Sequence, residues 1–180
     1  MILCICLIVL IAVLDQVSKA LIAQALAPSG SFALIENIFH FTYVENRGAA
    51  FGMLAEHRWV FMVFSVVGIA AMAIWLGLAK PQSRWERTAV SFIVGGGIAN
   101  MIDRVRLGYV IDFIDCRFID FYVFNVADSF VTVGCAMFML YVILDEVRES
   151  RMKKAEAQTA ESAKAAEEEA APSSEEDSHG

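Results

Sequence analysis

Four stretches of this chain are apolar and long enough to cross a membrane: Ile2 to Ala27, 59–79, about Thr88 to Val105, and about Val126 to Val147. A helix needs about 20 residues to traverse a ~30 Å hydrocarbon core. The 180 residues are 58% hydrophobic, above the roughly 45–50% of soluble domains. A mainly α, integral membrane domain with four transmembrane helices is therefore expected. The first stretch could also be a cleaved signal peptide ending near QALA. Its start lacks Lys and Arg, however, and Asp15 and Lys19 interrupt the run, so it is expected to remain as a helix.

Basic residues near span ends set orientation. Lys80, Arg84 and Arg87 lie between the second and third stretches; Arg148, Arg151, Lys153 and Lys154 follow the fourth. Both groups fall on one side, so N- and C-termini are expected to be cytoplasmic. Segments of about 28–57 and 106–125 then face outward. In the first, alternation around Phe39, Phe41 and Tyr43 before an Asn-Arg-Gly turn predicts a small extracytoplasmic β platform at about 36–55. The second is too rich in Asp to span, and reads as an interfacial strand or short helix.

Residues 1–147 form the expected membrane domain. In residues 148–180, five Lys/Arg stand against nine Asp/Glu, so this segment carries −4 of the formal charge of −7. Its Ala, Glu, Lys and Ser have no apolar face to dock, which predicts a mostly disordered cytoplasmic tail. A basic groove for nucleic acid is absent. The four cysteines, at 4, 6, 116 and 135, form no CxxC pair and no zinc spacing. The glycines at 95–97 lack the Lys-Ser/Thr of a phosphate loop and lie mid-span, where small residues let helices approach. His40 and His57 have no serine or cysteine partner in a recognisable motif and read as interfacial polar residues.

Acids in apolar runs cost most and so mark chemistry. Asp15 and Lys19, four apart on one helix face, suit an internal ion pair. Asp112 lies in GYVIDFID and Asp128 in FNVADSF; the orientation above puts both near the outer face. Two close carboxylates share one proton, and such a pair can activate a water between them. Alternatively, Asp128 simply caps the fourth helix and Asp112 is a solvated loop acid. Spacing alone does not choose Asp112 over Asp103, Asp115 or Asp120.

GGGIANMIDRVRLGYVIDFID followed by FNVADSFVTVG resembles lipoprotein signal peptidase, the type II signal peptidase of bacterial membranes. DQVSK and VENRGAAFGM are similar to that family's upstream motifs, in the same order, so the likeness runs from about Asp15 to Gly134. The resemblance implies an aspartyl endopeptidase with four membrane helices. Such an enzyme removes the signal peptide of a prolipoprotein, cutting before a diacylglyceryl-modified cysteine. It implies Asp112 and Asp128 as the catalytic pair, with Asn46, Asn100, Arg104, Asn125, Asp15 and Lys19 as binding or supporting residues. Arg104 is free to fork onto peptide carbonyls or lipid phosphate, or to pair with Asp103. Neither metal nor cofactor is implied. The expected protein is a monomer of the bacterial cytoplasmic membrane, its partners lipidated prolipoproteins and membrane lipid. A transporter would instead spread its acids through the bilayer depth, and an assembly protein would use them as caps.

Overall fold

The computed structural model describes residues 1–27, 30–48, 58–78, 83–119 and 121–170. Among the described residues four helices and three strands follow in the order α1 (Ile2–Leu26), β1 (Ser31–Ile35), β2 (Phe39–Asn46), α2 (Arg58–Leu78), α3 (Arg84–Arg106), β3 (Val110–Cys116) and α4 (Val126–Ala170), with a short 3-10 turn at Arg117–Ile119 before α4. The chain divides into two compact units, Met1–Met139 and Leu140–Gly180. The first holds every site residue discussed below.

Among the described residues, α1 and the Val126–Thr159 part of α4 are long and apolar enough to cross a membrane. A core helix of a soluble protein would be mostly buried, yet only 22% and 11% of these apolar windows are buried. Leu3, Val9, Leu10 and Val13 on α1, and Met139, Val142 and Ile143 on α4, are exposed. In α2 the apolar helix is shorter, Met62–Leu78. By contrast α3 is the interior element, with Ala89, Val90, Ser91, Val94, Gly95, Gly96, Ala99, Asn100 and Asp103 all buried.

Small side chains explain that burial. A Cβ placed on Gly95 would lie 3.1 Å from Ile11 of α1, and one on Gly97 would lie 2.8 Å from Ile69 of α2. One on Gly96 would run into the backbone carbonyl of Ala127, the second residue of α4. Successive helix positions point about 100° apart, so three consecutive glycines open α3 to three different helices. Around them Cys4, Leu76, Val90 and Val94 form a core with Ile8, Ile69, Trp75 and Phe138. Trp85 also donates its Nε1–H to the Met137 carbonyl at 2.9 Å. The small-residue reading of residues 95–97 is thus the structural one.

The sheet is antiparallel in the order β1-β2-β3. It begins earlier than expected, at Ser31, and its third strand comes from the second segment expected to face outward, where Asp112 pairs across from Val44 and Asn46 from Val110. Sequence alternation marks β2 well. It fails for β3, which is buried at Val110, Ile111, Asp112 and Phe113 alike and so shows no polar face. Beyond β2, Gly48 donates its N–H to Asn46 Oδ1 at 3.1 Å, which closes the expected Asn-Arg-Gly turn. The remainder of that motif, 49–53, lies outside the described residues, as do His57, Lys80 and Asp120.

Helix α4 continues to Ala170, so residues 148–170 are helical where a mostly disordered tail is expected. Ala, Glu and Lys are strong helix formers and need no docking face to extend a helix already nucleated. Residues 171–180 lie outside the described residues.

Replacing Gly96 by Ala should cost at least about 1–3 kcal/mol, since backbone rather than side chain blocks the new methyl. Gly97→Ala should cost less, because the end of Ile69 can swing away. Thermal unfolding in detergent would rank the two.

Candidate active site

Asp112 is fixed by β3, which lays its backbone against β2 and its carboxylate toward the helices. Asn46, at the end of β2, donates Nδ2–H to Asp112 Oδ2 at 2.8 Å. Asn125, just before α4, donates Nδ2–H to Asp112 Oδ1 at 2.6 Å. Asp112 is 2% exposed.

Asp128 is held by the start of α4. Asn125 precedes the helix, and its Oδ1 accepts the Asp128 N–H at 2.9 Å, while Asp128 Oδ2 accepts the Asn125 N–H at 3.3 Å. This is a reciprocal capping box built from Asn and Asp. The cap reading of Asp128 is therefore true of one oxygen. Its other oxygen, Oδ1, accepts Nδ2–H of Asn100 at 2.7 Å. One asparagine thus serves both acids, capping the helix that carries Asp128 with its carbonyl and holding Asp112 with its amide.

Both carboxylates line one cleft of about 880 Å³, together with Asn46, Asn100, Arg104 and Ser129, and with Phe121, Phe124, Val131 and Val133 as apolar wall. Burial pushes the Asp112 carboxyl up to about 6. The Asn46 hydrogen bond opposes this rise and the nearby Asp128 charge adds to it, with smaller opposing effects from Asn125 and Lys19.

Beneath the cleft lies a buried ion cluster. Lys19 is 2% exposed and Asp15 fully buried. The Lys19 ammonium stands 2.7 Å from Asp15 Oδ2 and 2.8 Å from Asp103 Oδ2, and it donates to Asn100 Oδ1 at 2.9 Å. The expected Asp15–Lys19 pair is present. The option of pairing Asp103 with Arg104 is not taken: Asp103 turns to Lys19 and to Gln16, which donates Nε2–H at 2.7 Å. Adjacent helix residues point about 100° apart, so Asp103 faces α1 while Arg104 faces the cleft. Arg104 Nη1 makes one long bond, 3.4 Å, to the Asn100 carbonyl.

The structure thus brings together Asp112, Asp128, Asn46, Asn100 and Asn125 directly, with Arg104 on the cleft wall. Asp15 and Lys19 sit one layer below. Asp115, the rival candidate, lies away from this group; its Oδ2 accepts from Thr42 and from Arg117. Gln16 and Asp103 belong to the buried cluster; the sequence did not single out Gln16, and offered Asp103 only as a rival to Asp112 or a partner for Arg104. The i,i+4 spacing of Asp15 and Lys19 marked the helix face, but nothing local shows that Asp103, 84 positions beyond Lys19, completes it.

The model of the signal peptidase (SPase) II family matches residues 7–144. The chain belongs to the signal peptidase II family. Among relatives, the lipoprotein signal peptidase of Caldanaerobacter subterraneus subsp. tengcongensis is 48% identical over 131 residues, 73% of this chain and 88% of that protein. That of Clostridioides difficile is 41% identical over 139 residues, covering 77% and 93%. A solved bacterial membrane enzyme, obtained by the in meso method at 2.3 Å resolution, superposes with a TM-score of 0.74 at 30% identity, over 79% of this chain and 88% of that one. A second such structure, at 1.9 Å, gives 0.70, again at 30% identity. As a signal peptidase II family member the chain is a membrane-bound protease, and the cleft above is where its described residues concentrate buried polar chemistry.

Asp112 also predicts a pH effect with a definite sign. Its carboxyl ionises near 6 in the folded chain against 3.8 unfolded, so the folded state holds the proton more tightly. The penalty for burying its charge is absent below the unfolded value, grows as pH rises toward about 6, and is complete above it, at roughly 3 kcal/mol. Carboxyl NMR should show this group titrating near pH 6. In Asp112→Asn the corresponding loss of thermal stability across that window should disappear.

Proposed function

We propose that this signal peptidase II family member is an intramembrane aspartyl endopeptidase that removes signal peptides from diacylglyceryl-modified prolipoproteins, cutting before the lipidated cysteine. The observation that carries the reading is the meeting of Asp112 and Asp128 in one buried cleft, bridged by Asn125 and Asn100. Its substrate class is supported by the likeness to lipoprotein signal peptidases and by a cleft with one polar and one apolar wall.

In this mechanism Asp112, whose carboxyl burial keeps protonated up to about pH 6, donates its proton to the scissile carbonyl oxygen. Asp128, acting as base, takes a proton from the water that attacks the carbonyl carbon. As the tetrahedral adduct collapses, the C–N bond breaks, the amine of the lipidated cysteine receives the proton from Asp128, and Asp112 recovers its own. Asn46, Asn100 and Arg104 present N–H donors along the cleft for peptide carbonyls. A diacylated cysteine cannot leave the bilayer, since each buried CH₂ holds it by about 0.8 kcal/mol, so the reaction must take place at membrane depth.

The topology belonging to this reading is that of α1 to α4 as four spans, both termini cytoplasmic and the cleft at the outer face of the bacterial cytoplasmic membrane. The sheet then covers the peptide from the watery side. Site-directed crosslinking from β2 to bound substrate tests that placement, and no crosslink from any β2 position would refute it. The enzyme is proposed to work as a monomer, without metal or cofactor.

Purified chain mixed with a lipidated prolipoprotein tests the reaction. Asp112→Asn and Asp128→Asn should each lower cleavage by roughly 10²–10⁴-fold while leaving the fold intact; normal cleavage by either would end the aspartyl reading. Chelators should leave the rate unchanged. In the wild type, kcat/KM should fall as pH rises through about 6, where Asp112 loses the proton it must donate.

A further inference from the structure

Lys19 lies between two carboxylates, and each of them does a second thing. Asp15 Oδ1 accepts the backbone N–H of Ala127 at 2.9 Å, and Asp103 Oδ2 accepts the backbone N–H of Ile111 at 3.3 Å. Ala127 is the residue before Asp128, and Ile111 the residue before Asp112. The two acids of one buried cluster therefore grip the chain one residue ahead of the two acids of the cleft. Asp15 reaches across 112 residues and Asp103 across only eight, to two elements, α4 and β3, of which only β3 belongs to the sheet.

The ammonium adds a direction. Lys19 can only donate, and an ionised carboxylate can only accept. Asn100 stands between Lys19 and Asp128, so its Oδ1 must face the ammonium and its Nδ2 must face Asp128. The same Asn100 Oδ1 accepts from Asn125 Nδ2, which fixes that amide with its N–H groups toward Asp112. Donor and acceptor assignments along the whole path, from Lys19 to both cleft acids, are thus set by one charge. Gln16 ties Asp103 further to α1 and to the Ala99 carbonyl.

We propose that Asp103, acting with Lys19 and Asp15, is a positioning residue of the reaction. The cluster holds the backbone before each cleft acid and orients their shared asparagines, so that the spacing of the pair is set before substrate arrives. This rests on the reading of Asp112 and Asp128 as the reacting pair. Asp103 and Asp15 touch neither substrate nor water in it; they act through Ile111 and Ala127.

The test compares Ala with Asn at Asp103, in the full chain in lipid, using a lipidated prolipoprotein peptide. Asp103→Asn retains an oxygen for Lys19 and the Ile111 N–H, while its amide faces Gln16, which must turn over to accept from it and so gives up its part-exposed bonds to the Ala99 carbonyl and Arg106. Asp103→Ala retains none. The Ala variant should lose about 100-fold in kcat, the scale set by roughly 1 Å of misplacement, with KM within about threefold. The Asn variant should stay within about tenfold of wild type. At Asp15 the two oxygens accept from different donors, Oδ1 from the Ala127 N–H and Oδ2 from Lys19, so an amide cannot serve both, and Asp15→Ala and Asp15→Asn should each lose about as much kcat as Asp103→Ala.

A folded Asp103→Ala variant with wild-type kcat overturns the proposal, as does an effect confined to KM. So does an Asp103→Asn variant that fails to fold or falls as far as Ala, since that makes the residue a folding element alone. If the Ala variants do not fold, Asp103→Asn decides: retention of kcat supports the proposal, a loss beyond 100-fold refutes it. Asp112→Asn and Asp128→Asn run alongside as controls. Should those cleave normally, the aspartyl reading has failed. Should they be inactive while folded Asp103→Ala is not, only the positioning role has.

Discussion

A lysine ammonium at 2% exposure, inside a chain whose outer surface is hydrocarbon-like, cannot exist without acceptors on every side. Lys19 finds them in Asp15, Asp103 and Asn100, and each acceptor belongs to a helix that must be in place for the cluster to form. Removing one member of such a group leaves an uncompensated buried charge, typically about 3–5 kcal/mol. That penalty makes the relation of α1 to α3 close to obligatory. Because the acids also accept N–H groups from α4 and β3, the same cluster reaches the elements that carry Asp128 and Asp112.

Close approach makes this possible. Gly95, Gly96 and Gly97 let α3 sit close against α1, α4 and α2; a methyl at Gly96 would meet backbone, and at Gly95 and Gly97 it would press on Ile11 and Ile69. Hydrogen bonds of 2.6–2.7 Å between side chains as short as Asn and Asp require that proximity. The apolar packing around Val90 and Val94, and the T-shaped pairs Phe92–Phe130 and Trp75–Phe138, keep the helices there. Packing and polar chemistry are here one arrangement: the glycines bring the backbones together, and the asparagines use the space between them.

The site also departs from ordinary economy. Asp112 sits where its charge is disfavoured, and the fold tolerates the resulting loss of stability above about pH 6. A carboxyl that stays protonated near the working pH is what a proton donor requires. The same residue in the position of Asp115, beside Thr42 and Arg117 on the outer part of the sheet, would be an unremarkable ionised acid. Surroundings, more than residue type, separate the two.

Much of this could be read from residue order. Long apolar runs dictate helices because hydrocarbon leaves the backbone no other partner, and alternation around Phe41 gives β2. The four-apart spacing of Asp15 and Lys19 gives their pair, and the motifs that resemble signal peptidase II single out Asp112 and Asp128. Other features depended on contacts between segments far apart in sequence. Strand β3 has no polar face, so its pairing with β2 left no periodic trace. Asp103 lies beside Arg104 in the chain yet faces the opposite way, because the helix turns about 100° per residue and an ammonium from α1 waits on that side. Sequence alone determined which groups are costly enough to need a purpose; only the folded arrangement decided which partners satisfy them, since charge compensation in a buried site is a matter of a few ångströms and not of neighbouring positions along the chain.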